Sequence, residues 1–111
     1  RPSSGSEHLF CHSLEENFDQ IRIPHGIAVA MGTYAATIFH NGNMEKIKRI
    51  LHQYKLPVRP SQWNITEDIW INAWKGASAT RADRHSILDT ADLSKENLSK
   101  IYSEMESEFS Q

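Results

Sequence analysis

The sequence predicts an all-α bundle of about five helices: apolar residues recur at i, i+3 and i+4 in successive segments, helix-starting residues precede several of them, and no stretch alternates with a period of two. A chain of 111 residues is one domain, long enough to bury a core but near the size where burial only modestly outweighs chain entropy. Residues 1–111 are therefore expected to form one helical unit.

The first helix is expected near residues 5 to 17, where Ser3, Ser4 and Ser6 can cap and Glu7 suits the positive end. Pro24 disfavours helix at the residue before it and often sits at a helix start, so a second helix is expected from about His25. It is rich in Ala28, Val29, Ala30, Met31, Gly32, Ala35 and Ala36, small residues that let neighbouring backbones approach closely, and Asn41-Gly42-Asn43 stops it. From Met44 to Lys55, Ile47, Ile50, Leu51 and Tyr54 trace one apolar face, and Lys46, Lys48, Arg49 and Gln53 fill the other. Pro57 and Pro60 then force the main loop. Thr66 caps a fourth helix with Ile69, Trp70, Ala73, Trp74 and Ala77 as its apolar face, Trp70 and Trp74 being read as core. Ala79 to Leu93 has no steady period and reads as an irregular connection. Ser94 caps a last helix through Leu98, Ile101, Tyr102, Met105 and Phe109.

Composition excludes several function classes. Charged residues make up 23%, the net charge is −2, and Lys and Arg are spread among Glu and Asp, so there is no basic patch for nucleic acid or an anionic membrane. The apolar run from Gly26 to Phe39 is shorter than the ~20 residues a bilayer span needs and reads as a buried helix. With a single cysteine, Cys11, no internal disulfide can form, and a cytoplasmic location is the expectation. The opening Arg1-Pro2-Ser3-Ser4-Gly5 has neither an initiating Met nor an apolar signal core, so an excised piece of something larger is expected.

His8 and His12 stand four apart, which places both on one helix face at ~5–6 Å between Cβ atoms, and His25 follows beside Gly26, whose missing side chain permits close approach to a ligand. A metalloprotease motif is excluded, since Leu9 stands where that chemistry needs a Glu. Spacing alone leaves both a metal role and an ordinary set of helical histidines open, and no carboxylate is obviously placed as a third ligand. Cys11, next to His12, reads as a buried structural thiol pointing away from the His8/His12 face.

The run Ser4-Gly5-Ser6-Glu7-His8-Leu9 with His12, followed by Pro24-His25-Gly26 and Ala28-Val29-Ala30-Met31-Gly32, resembles the C-terminal helical domain of the superfamily of glycerol dehydrogenase, iron-containing alcohol dehydrogenases and dehydroquinate synthase. Within it the first motif is most similar to sn-glycerol-1-phosphate dehydrogenase. The resemblance implies that His8 and His25 are metal ligands, that His12 is a catalytic histidine contacting a substrate hydroxyl or carrying its proton, and that the third ligand is an Asp upstream of Arg1. It further implies Zn2+ or another divalent cation, NAD(P) bound mainly by an N-terminal nicotinamide-binding domain absent from this chain, and metal-assisted hydride transfer to or from a small phosphorylated polyol. A homo-oligomer is compatible with this plan. Arg81 and Arg84, near His85, resemble the basic stretch of phosphate-using members, although solvated arginines paired with Asp83 and Asp89 remain an open alternative.

One departure is Ile27, where many members of the superfamily carry Glu directly after His-Gly, so an outer-shell carboxylate at that place is lost or replaced. The leading expectation is a domain of an NAD(P)-linked polyol-phosphate oxidoreductase, inactive by itself. The alternatives are a domain of a dehydroquinate synthase-like sugar-phosphate cyclase, disfavoured by Glu7-His8 and Ile27, and a non-catalytic helical binding module.

Overall fold

The computed structural model describes residues 6–80 and 93–109, with side chains from Phe10 to Ala77 and from Leu93 to Phe109. Five α-helices follow one another: α1 (Ser6–Asn17), α2 (His25–Phe39), α3 (Met44–Gln53), α4 (Glu67–Thr80) and α5 (Lys95–Glu108), with a 3-10 turn at Pro60–Trp63. No strand occurs among the described residues, as the sequence led us to expect.

Helix α1 packs against both α2 and α4, and this three-helix contact is the centre of the molecule. Phe10 of α1 is fully buried, its ring stacked on Trp74 at 4.9 Å and tilted against Trp70 at 5.1 Å. Both tryptophans have no exposed surface, which agrees with their reading as core. Trp70 Nε1 donates to the Leu98 carbonyl at 3.0 Å, so the same ring that receives α1 also holds α5. A Cβ built on Gly76 would stand 2.7 Å from Ser13 Oγ, so glycine there is what lets α4 lie close to α1.

The helix boundaries have local causes. Asn43 Oδ1 accepts from Lys46 N–H at 3.0 Å and Ser94 Oγ from Asn97 N–H at 3.2 Å, each satisfying a donor that a helix start would leave unpaired. Helix α2 ends where Asn41 turns left-handed, at φ 54°, and Gly42 N–H reaches back to the Thr37 carbonyl at 2.8 Å. Within α2, Thr33 and Thr37 donate to the Val29 and Thr33 carbonyls, so their hydroxyls are satisfied inside an otherwise apolar helix.

Three expectations need correction. Helix α3 ends at Gln53 instead of Lys55, because Lys55 adopts φ 53° and Leu56 N–H closes on the Leu51 carbonyl at 3.0 Å. Tyr54 is consequently turned out of the apolar face and is 67% exposed. The proline loop contains an unforeseen 3-10 turn, pinned to α5 by Ser61 N–H and Oγ–H, both donating to the Glu106 carboxylate at 2.7 Å. In the segment expected to be irregular, Ala79 and Thr80 continue α4, while residues 81–92 lie outside the described residues.

Phe10→Ala removes the ring on which α4 grips α1 and leaves a cavity between two tryptophans. The expected loss of stability is about 3–5 kcal/mol, read as a fall in the urea midpoint. A loss below about 1 kcal/mol would show that α1 is anchored elsewhere.

Candidate functional site

Because Phe10, Cys11 and Leu14 turn inward on α1, the same helix presents His12, Glu15 and Glu16 to solvent. The chain reverses after Asn17, and Pro24 starts α2 with its carbonyl accepting from Ile27 and Ala28 N–H, both at 3.0 Å. This hairpin carries the first residue of α2, His25, back alongside the second half of α1.

There His25 Nδ1 lies 3.2 Å from Glu15 Oε2 and 3.3 Å from Cys11 Sγ, while Cys11 Sγ lies 3.6 Å from the same Glu15 oxygen. The three donor atoms stand within 4.8 Å of one another, a grouping able to hold a cation. Glu15 and His25 are about half exposed or more, so their mutual attraction adds no more than ~1 kcal/mol to stability. What the contact fixes is orientation: a carboxylate only accepts, so the Cys11 thiol and a His25 Nδ1–H both donate to it. Burial first, then the charge and hydrogen bond of Glu15, push the Cys11 thiol up to about 12.

The residues singled out from the sequence fare differently. His25 joins this cluster. His8 lies on α1, one turn before Cys11, with its side chain outside those described. His12 pairs within its own helix, Nε2 to Glu16 Oε2 at 3.3 Å, with both side chains more than half exposed. Arg81 and Arg84 lie outside the described residues. Gly26 is exposed, and among the described residues no atom beyond its chain neighbours and its own helix backbone comes within 4 Å of where a Cβ would stand.

Cys11 is buried, as expected, while His12 beside it is exposed; its contact with His25, which its sulfur meets at 3.3 Å, was not foreseen. Glu15 was not foreseen as a partner of either. At ~100° per residue, positions three and seven after His8 fall near His8 on the helix, so the stripe 8, 11, 15 was the available signal.

No protein-family model matches the chain. Curated relatives do. The chain is 38% identical over 94 residues to the glycerol-1-phosphate dehydrogenase [NAD(P)+] of Thermoplasma acidophilum, covering 85% of this chain and 26% of that protein. It is 38% identical over 104 residues to the enzyme of the same name from Sulfurisphaera tokodaii, covering 94% of this chain and 29% of that protein. A third, from Pyrobaculum arsenaticum, is 40% identical over 101 residues, with 86% and 28% covered. The chain thus spans just over a quarter of the length of the curated relatives it matches. Over that segment it is a homologue of these dehydrogenases, and the resemblance carried by the two histidine motifs is borne out.

The buried, protonated thiol has a simple readout. At pH 8 Cys11 should react with a disulfide reagent far more slowly than the same cysteine in guanidine-unfolded chain, with the folded rate climbing only as pH approaches 12. Because the folded value is raised, the associated stability is complete below the ordinary thiol value and is lost as pH rises from about 9 to about 12. Equal rates in folded and unfolded chains at pH 8 would contradict this placement.

Proposed function

We propose that the chain is the C-terminal helical domain of a cytoplasmic, NAD(P)-linked oxidoreductase that interconverts a polyol phosphate such as sn-glycerol 1-phosphate with dihydroxyacetone phosphate. The kinship with glycerol-1-phosphate dehydrogenases over most of its length is the observation that carries this reading. In it, an N-terminal nicotinamide-binding domain supplies the cofactor site, and residues 1–111 supply the metal and substrate wall. No described helix is long and apolar enough to cross a membrane. The relatives' names do not favour a cyclase or a freestanding binding module.

The residues fit a divalent cation, with zinc as the first candidate. His25 is exposed at the head of α2, all its described hydrogen bonds run through Nδ1, and Nε2 is therefore available as a ligand. His8, on the neighbouring helix, would be the second imidazole, and a carboxylate from the nicotinamide-binding domain the third ligand. A bound cation would polarise the substrate oxygen. His12, exposed and paired with Glu16, would contact a substrate hydroxyl or carry its proton through Nε2. Arg81 and Arg84 would hold the phosphate through guanidinium forks.

Two measurements test this. The 111-residue chain should show no NAD(P)-dependent oxidation of glycerol 1-phosphate and should bind cobalt or zinc at one site that both His8→Ala and His25→Ala abolish. Turnover by the chain alone, or metal binding indifferent to both changes, would refute the reading. In the complete enzyme, Arg84→Ala should raise KM for a phosphorylated substrate by about tenfold or more and spare its unphosphorylated analogue; equal effects on both would remove Arg84 from the phosphate site.

A further inference from the structure

We propose that Glu15 is a positioning residue for His25: its carboxylate fixes the imidazole as the tautomer protonated on Nδ1 and so presents the Nε2 lone pair to a cation. The inference rests on the reading of His25 as a metal ligand. Ile27, two residues after His25, carries no charge, and the carboxylate at the ring comes from the adjacent helix.

The argument is one of donors and acceptors. A neutral imidazole has one N–H and one lone pair, and at Nδ1 it faces a carboxylate oxygen at 3.2 Å and a thiol sulfur at 3.3 Å. Were Nδ1 the lone-pair nitrogen, the thiol could donate to it, but two acceptors would then confront each other across 3.2 Å. With the proton on Nδ1, His25 and Cys11 both donate to Glu15 Oε2 and every group in the cluster is satisfied. A free imidazole prefers the opposite tautomer, so Glu15 performs a selection that His25 would not make unaided. Partners of this kind typically alter metal affinity by about 10–100-fold.

The tautomer can be read without metal, from long-range 1H–15N correlations of the full chain at a pH where His25 is neutral. The wild-type protein should show His25 protonated on Nδ1, and Glu15→Ala should move it toward Nε2–H with the helical circular dichroism unchanged. Glu15→Gln, whose amide oxygen still accepts, should retain the Nδ1–H form. Cobalt titration should then show affinity falling about 10–100-fold in Glu15→Ala and less in Glu15→Gln. A tautomer and affinity untouched by Glu15→Ala, in a chain that binds cobalt, would overturn the role of Glu15 alone. A thiolate-to-cobalt charge-transfer band lost in Cys11→Ser would also overturn it, by showing the cluster ligating the cation directly. Failure of the wild-type chain to bind cobalt would instead sink the metal reading of His25, and the positioning role with it.

Discussion

The grip of Trp70 and Trp74 on Phe10 is the contact from which the rest of the molecule takes its position. Two indoles fully removed from water supply a large share of the apolar burial, and they belong to a helix that also holds α5 through Trp70 Nε1. With one side of α1 committed to α4 by Phe10 and the close approach of Ser13 to Gly76, the rotation of α1 about its axis is settled. Cys11 then falls at the border between core and solvent and Glu15 just outside it. A site made from small rotational differences on one helix needs that kind of anchoring.

The polar groups of this core are not all treated alike. The threonines of α2 return their protons to their own helix, and Tyr102 donates to the Ile65 carbonyl at 2.8 Å. Tyr34 and Trp74, both fully buried, leave Oη and Nε1 without a partner among the described residues. The Tyr34 phenol is pushed up to about 12 by burial and by the Glu104 and Glu108 carboxylates, so it stays neutral through ordinary pH. Both rings contribute area and shape to the packing: Tyr34 meets Phe109 edge-on at 5.7 Å, and Trp74 meets Phe39 edge-on at 5.2 Å.

Helices were legible where the signal is local. Asn43 and Ser94 announce helix starts by side-chain chemistry, Pro24 by its ring, and the apolar spacing of α4 and α5 by period. Lys55 was not legible, since nothing about lysine favours a left-handed backbone, and the closure that imposes it depends on where Leu56 must go. At the site, His25 could be singled out by its motif. Its meeting with Glu15 could not, because it depends on the pitch of one helix and the length of the reversal that follows, neither of which a motif encodes. Cys11 was read with the correct burial, but its meeting with His25 depends on the same reversal and was equally hidden.

The cluster of Cys11, Glu15 and His25 is also close along the chain: sulfur and imidazole are separated by 14 positions, whereas Ser61 and Glu106, which tie the 3-10 turn to α5, are separated by 45. Closing a short loop costs less entropy than closing a long one, and loops of about ten residues close in roughly 10–100 ns. In kinetic terms, the hairpin that joins Cys11, Glu15 and His25 belongs to the low-contact-order portion of the molecule, the part a chain can rehearse before its ends find each other.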